Sequence, residues 1–249
     1  MTINFDIKNK TALVTGANRG IGKAIVEAFI EKGATKVYVG VRNLNKAEPL
    51  IKQYGDQVEA ILIDLAKPET ITTAALQATD VEVVVNNAGV LKTTTPLDVD
   101  ALDSLNYEME MNVGGLIRMA QAFAPVLKTN GGGAFIQLNS VASIKNFVPL
   151  ATYSASKAAA YSITQALRDL LSEQGTSVIS VHPGPIATDM SDHAGFSEIA
   201  EPPSLVADSI VSALKTGDFH VFPDTMAKKV AGVYQNFAEN IVEANIMEG

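Results

Sequence analysis

The chain contains no cysteine, which removes disulfides, thiolate catalysis and cysteine-ligated zinc. Histidine is almost as scarce. His182, His193 and His220 are its three histidines, and no carboxylate stands at a spacing that would complete a catalytic triad or a zinc site with them. No metal is expected. Long apolar runs are missing too. Hydrophobic residues make up 47% of the chain, yet no uninterrupted run approaches the roughly 20 residues that a membrane helix needs. The run Met1 to Lys10 holds no apolar segment flanked by basic residues, so no secretory signal is expected. Together these absences point to the cytoplasm. Positive charge is also short, with 19 Lys and Arg against 27 Asp and Glu and a formal net charge of -8. A protein that grips nucleic acid carries a basic face, and Lys228-Lys229 is no more than a pair. Neither nucleic acid nor a membrane is an expected partner, and a phosphate-bearing ligand would have to be met by local basic residues.

A length of 249 residues allows one large α/β domain or two small ones, and suffices to bury an apolar core without disulfides or structural metal. There is no internal repeat, low-complexity tract or linker, so one domain over 1–249 is expected. Strands read at 11–15, 36–41, 58–63, 81–85, 134–138 and 177–181. Helices read at 21–32, 69–78, about 99–128 as one long stretch, and 153–173, with Gly33, Gly131-Gly132-Gly133 and Gly175 as stops. Short apolar strands separated by helices imply parallel strands buried on both faces. The expected fold class is therefore α/β, a Rossmann-type doubly wound parallel sheet. After Val181 the texture changes. Residues 183–203 read as irregular, broken by Gly184, Pro185, Gly195 and Pro202-Pro203. A long loop inside a compact domain is more often a functional cover than padding, so this segment is the expected substrate loop. A helix at 204–215, a short strand at 219–222 and a helical tail within 225–249 complete the chain.

The first strand runs into Thr15-Gly16-Ala17-Asn18-Arg19-Gly20-Ile21-Gly22. Glycines let the backbone turn sharply and approach a pyrophosphate, and the following helix offers free N–H groups and the positive end of its dipole. The spacing is Gly-x3-Gly-x-Gly, and an ordinary tight turn is the rival reading. Its place, after a strand and opening a helix, favours phosphate binding.

A second constellation lies near the middle of the chain. Hydride transfer to a carbonyl leaves a developing alkoxide that needs a proton. A free tyrosine, with a pKa of about 10, gives up its proton too reluctantly, and a nearby ammonium lowers that value. Residues four apart on a helix share a face, and Tyr153 and Lys157 meet that requirement if the helix begins near Thr152. Ser140 follows a strand at its carboxyl edge, 13 residues before Tyr153. A hydroxyl there can hydrogen-bond a carbonyl oxygen and stabilise its negative charge. Ser143 is the rival within the same loop.

Thr-Gly-x3-Gly-x-Gly, then Asn86-Asn87-Ala88-Gly89, then Tyr153-x3-Lys157 together resemble the short-chain dehydrogenase/reductase family, in its branch of about 250 residues, over about 8–215. The resemblance implies Tyr153 as acid/base, Lys157 lowering its pKa and orienting a ribose, Ser140 positioning the carbonyl, and Asn112 anchoring a proton relay. It implies a nicotinamide cofactor held by Gly16, Asn18, Arg19, Gly20, Ile21, Gly22, Arg42, Asp64, Leu65, Asn86, Ala88, Gly89, Tyr153, Lys157, Pro183, Gly184, Ile186 and Thr188. Asp64 resembles the family residue that meets the adenine amino group, although an Asp closing a turn is the alternative. Members that use NAD place a carboxylate at the end of the second strand. Here Gly40-Val41-Arg42 carries none. Arg42 and Arg19 are two guanidinium groups suited to a 2′-phosphate, so NADP(H) is the expected cofactor.

Val141, Phe147, Met190, His193 and Phe196 are the expected substrate contacts, an apolar set that fits a hydrophobic carbonyl or alcohol. The expected reaction is NADPH-dependent reduction of a ketone or aldehyde. Two alternatives stand beside it. One is 3-oxoacyl-thioester reduction, whose family members usually end in a Gly-Gln-x3-Val-Asp-Gly-Gly stretch that this chain replaces with Phe219-His-Val-Phe-Pro-Asp224. The other is a nucleotide-sensing regulator, expected to have lost the tyrosine or lysine that this chain keeps. The family pairs through helices corresponding to 99–128 and 153–174, which implies a homodimer or homotetramer.

Overall fold

A computed structural model describes residues 5–244. Its centre is a sheet of seven parallel strands in the order β3-β2-β1-β4-β5-β6-β7. The strands are β1 (Thr11–Thr15), β2 (Lys36–Val41), β3 (Val58–Leu62), β4 (Val83–Asn86), β5 (Ala134–Leu138), β6 (Ser177–Val181) and β7 (His220–Val221). All five residues of β1, β5 and β6 are buried, because helices cover both faces. On one face α1 (Gly20–Glu31) and α8 (Pro203–Thr216) pack over Val14, Val39, Val85 and Ile136. The other is covered by α3 (Pro68–Gln77), α5 (Gly115–Thr129) and α6 (Ala151–Ser172), which bury Phe123 and Phe135 against Leu13 and Val84. The strand order reverses between β1 and β4, and open α/β sheets bind ligands in the crevice at such a reversal. The expected doubly wound fold is the one observed.

Several elements differ from the sequence reading. Residues 99–128 do not form one helix. They divide into α4 (Ala101–Glu108), a π-helical turn (Met109–Gly114) and α5. Apolar periodicity runs on through the turn, so the residues carry no break signal. The cause is tertiary. The Asn112 amide accepts from Val90 N at 2.9 Å and donates to Val90 O and Ser156 Oγ at 3.0 and 2.9 Å, and such bulges accommodate a residue pulled out of the regular ladder. Between β2 and β3, where no element is predicted, α2 (Glu48–Tyr54) starts with proline in its first turn, where a missing N–H does no harm. Residues 183–203 are not irregular throughout. They contain α7 (Asp189–His193) and a short 3₁₀ turn at Ser197–Ile199, and a bridge between Ile186 and Glu201 closes the base. The tail forms α9 (Thr225–Phe237) and a π-helical turn (Ala238–Val242); its last residues, 245–249, lie outside the described ones. Among the described residues no helix is long and apolar enough to cross a membrane.

Candidate active site

The glycine turn after β1 is shaped by backbone that favours glycine. Gly16 and Gly20 have φ of +63° and +53°, the left-handed region where a Cβ is strained. Arg19 precedes α1 in an extended conformation and provides no side-chain cap, so the first N–H groups of the helix have no capping partner from it. Gly22 does not line the cleft. A Cβ there would lie 2.4 Å from Gly16 O, so this glycine lets the helix pack against its own turn. Asn87 reinforces the same corner: its amide donates to Thr15 O at 2.8 Å, and Thr15 Oγ1 accepts from Asn87 N and Ala88 N at 3.0 and 2.9 Å. This cradle, an uncapped helix start behind glycines that leave no room for side chains, fits a pyrophosphate. Arg19 and Arg42 are exposed at its rim, and Arg19 forms an ion pair with Asp189 of α7.

From the cradle a cleft of about 320 Å³ runs across the carboxyl ends of β1, β4, β5 and β6. It brings together Gly16, Asn18, Arg19, Gly20, Ile21, Arg42, Leu65, Ala88, Gly89, Ser140, Tyr153, Lys157, Pro183, Gly184, Ile186 and Thr188, all predicted from the sequence. Three predicted cofactor residues lie outside it. Besides Gly22, Asn86 is buried in the sheet and donates to Gln137 Oε1 at 2.7 Å; side chains alternate along a strand, and its neighbour Asn87 faces the cleft instead. Asp64 closes its own turn by accepting from Ala66 N at 3.1 Å, the alternative that its position allowed. Asn112 is also absent from the cleft lining. A Cβ on Gly89 would come 3.0 Å from Asn112 Oδ1 and 3.7 Å from Lys157 Nζ, so a side chain at 89 would crowd the Asn112 amide.

The chemical end is built where β5 and α6 meet. Ser140 is extended; its hydroxyl accepts from Ala142 N at 3.1 Å and donates to Pro183 O at 3.3 Å. Tyr153 lies in the first turn of α6 with Lys157 one turn on, as the spacing requires. Lys157 Nζ donates to Leu138 O at 2.7 Å and sits 5.8 Å from the centre of the Tyr153 ring. Burial pushes the Tyr153 phenol up to about 12; the Ser140 hydroxyl pulls it down and the Glu108 carboxylate pushes it further up. Burial also draws Lys157 down to about 8. The sequence reading expects a lowered phenol, whereas in this arrangement burial outweighs the pull of Ser140 and the phenol is raised. Ser143 points away, donating to Ser140 O and meeting His182 Nδ1. His182 is fully buried, drawn down to about 3 by burial, and wedged between Tyr161 and Phe222. It supports the sheet and does not line the cleft.

Of the expected substrate contacts, Val141, Phe147, Met190 and Phe196 line the cleft, together with the apolar side chains of Leu91, Leu150 and Met226. His193 is the exception. Its Nδ1 turns back onto Asp189 O one helical turn earlier, outside the lining. Met226 could not be read from the sequence, since no motif links 226 to the cleft. Asn87 could have been, from its place in Asn86-Asn87-Ala88-Gly89.

Residues 10–197 match the sequence profile described as short chain dehydrogenase. The chain belongs to this family. It is an oxidoreductase of the short-chain dehydrogenase type, and its relatives agree. It is 31% identical over 215 residues to an uncharacterized oxidoreductase of Staphylococcus epidermidis, covering 84% of this chain and 92% of that one. It is 30% identical over 191 residues to a 3-oxoacyl acyl-carrier-protein reductase of Vibrio cholerae, covering 75% and 78%. Among solved structures it is similar to a short chain dehydrogenase from Burkholderia cenocepacia in complex with NADP. That likeness has a TM-score of 0.85 and 34% identity, over 95% of this chain and 99% of the other.

Proposed function

We propose that the protein reduces an apolar ketone or aldehyde to an alcohol with NADPH, reversibly. The observation that carries this reading is the convergence of Ser140, Tyr153 and Lys157 on one wall of a cleft whose far end is the glycine cradle. NADPH supplies the hydride when bound, held by the cradle, Arg19 and Arg42 at one end and the 183–188 turn at the other. Two guanidinium groups and no acid at 40–42 favour the 2′-phosphate, and the Burkholderia relative's complex with NADP supports it. Ser140 donates to the carbonyl oxygen and stabilises its growing charge. Tyr153, protonated at neutral pH because burial raises it, gives its phenolic proton to that oxygen. Lys157 stabilises the phenolate left behind and, through Leu138 O, stays fixed beside the ribose position. Asn112 holds the π-helical turn behind Lys157 as the head of a proton path. Apolar side chains exposed on α4 and α5, among them Leu102, Tyr107 and Ile117, support pairing of two copies through these helices, as a homodimer or homotetramer.

Turnover is measured as NADPH consumption over a panel of ketones, aldehydes and a 3-oxoacyl thioester, with Tyr153→Phe as control. The expected result is reduction of apolar ketones, with kcat falling by about 10²–10⁴ in Tyr153→Phe while NADPH still binds. A preference for the thioester would favour fatty-acid chemistry, the reaction in the name of the Vibrio cholerae relative. Tight NADPH binding without turnover of any carbonyl would favour a nucleotide-sensing role.

A further inference from the structure

The C-terminal helix reaches the cleft by contacts that none of the sequence motifs contains. Asp224 is 1% exposed, and both of its carboxylate oxygens are engaged. One accepts from Gly184 N at 2.6 Å; the other accepts from Ala227 N at 3.0 Å and caps α9. Bonds from backbone N–H groups to an ionised carboxylate are among the stronger ones. One side chain therefore ties the start of α9 to the Pro183-Gly184-Pro185 turn. Gly184 makes this possible, because a Cβ there would lie 2.6 Å from an Asp224 oxygen and 3.1 Å from Met226 Cβ. Glu201 holds the same segment from another side. Its carboxylate accepts from the N–H and hydroxyl of Thr225 at 2.7 and 3.3 Å, and its own N–H bonds Pro185 O at 3.0 Å. The turn in question is the one whose Pro183 carbonyl receives Ser140 Oγ and Val141 N at 3.3 and 3.0 Å. Met226, whose chain neighbours Thr225 and Ala227 are held through their N–H groups by these two carboxylates, lines the cleft beside Gly184.

We propose that Met226 is a substrate-specificity residue and Asp224 its positioning residue, so that the C-terminal helix supplies one wall against the carbonyl's apolar substituent. This rests on the reading of the cleft as a carbonyl-reducing site. A thioether side chain is unbranched and polarizable and adapts to aryl or alkyl groups. Cutting it to Ala enlarges the wall's recess, and Phe fills it.

Two measurements test the wall. The first is the ratio of kcat/KM for a bulky aryl ketone to that for a small methyl ketone. It rises about tenfold in Met226→Ala and falls in Met226→Phe, the scale on which apolar pockets discriminate. Asp224→Asn, which presents an amide to Gly184 N, moves the ratio in the direction of Met226→Ala, a change that loss of stability alone would not produce. The second measurement needs no turnover. Because the chain has no cysteine, Met226→Cys carries a single thiol. Its labelling by N-ethylmaleimide is expected to slow at least about tenfold with NADPH and the aryl ketone present, whereas Phe237→Cys, on the exposed side of α9, labels at an unchanged rate. A wild-type protein that turns over no carbonyl, while Met226→Cys still shows slowed labelling, overturns the reaction and supports the wall. Labelling indifferent to ligand, or an unchanged selectivity ratio in Met226 variants that fold and bind NADPH, overturns the wall itself.

Discussion

Tyr153 and Lys157 are set apart by burial, which moves their protonation in opposite senses. Both are nearly inaccessible, and desolvation disfavours whichever form carries charge. The phenol is held protonated and raised to about 12, and the ammonium is lowered to about 8. Lysine is charged in its protonated form, so a lowered value means that its charge is lost at a lower pH. The expected profile for ketone reduction is level below pH 8 and declines as pH rises through about 8, while Tyr153 remains protonated. A pH–rate curve in saturating NADPH checks this, and activity that stays level up to pH 10 would contradict it. The i, i+4 spacing of the pair was readable in the sequence because helical geometry is local. The reluctance of the phenol was not, because it depends on everything packed around the ring.

At the scale of elements, the segment between β6 and α8 and the glycine turn face each other across the cleft mouth. Arg19 belongs to the turn and Asp189 to α7, and their ion pair spans the two. A 2′-phosphate would have to draw Arg19 away from Asp189. Both side chains are more than half exposed, so the competition is mild. Asp189→Asn is expected to tighten NADPH binding by about threefold, the scale of an exposed ion pair. Arg42→Asp is expected to weaken it by at least about tenfold by setting an acid against the phosphate. Fluorescence titration with NADPH and NADH decides both, and unchanged NADPH affinity in Arg42→Asp would remove the case for the phosphate. The turn containing Asn112 teaches a related lesson. Its residues read as uninterrupted helix, and the bulge arises from bonds to Val90 and Ser156, which are remote in the chain.

Across the whole molecule, stability comes from two apolar layers on either face of the sheet. Phe123 of α5 is fully buried in one of them. Phe123→Ala is expected to cost about 3–5 kcal/mol through lost burial and the cavity left behind. Phe237 on α9 is 52% exposed, and its replacement by Ala should stay within about 0.5 kcal/mol. Denaturant unfolding of both variants tests the contrast, and equal losses would mean that the tail is bound into the core. The sequence by itself determined what depends on neighbours in the chain. Alternating strands and helices dictated a parallel sheet, the glycines a phosphate-sized turn, and the Tyr153–Lys157 interval a shared helix face. Only the tertiary structure decided which side chains meet the cleft. It turned Asn87 inward and Asn86 into the sheet, folded Asp64 and His193 back on their own backbone, and carried Met226 into the cleft lining beside Gly184. Periodicity and turn chemistry act over a few residues, whereas these placements follow from packing between segments tens of residues apart, which no local pattern records.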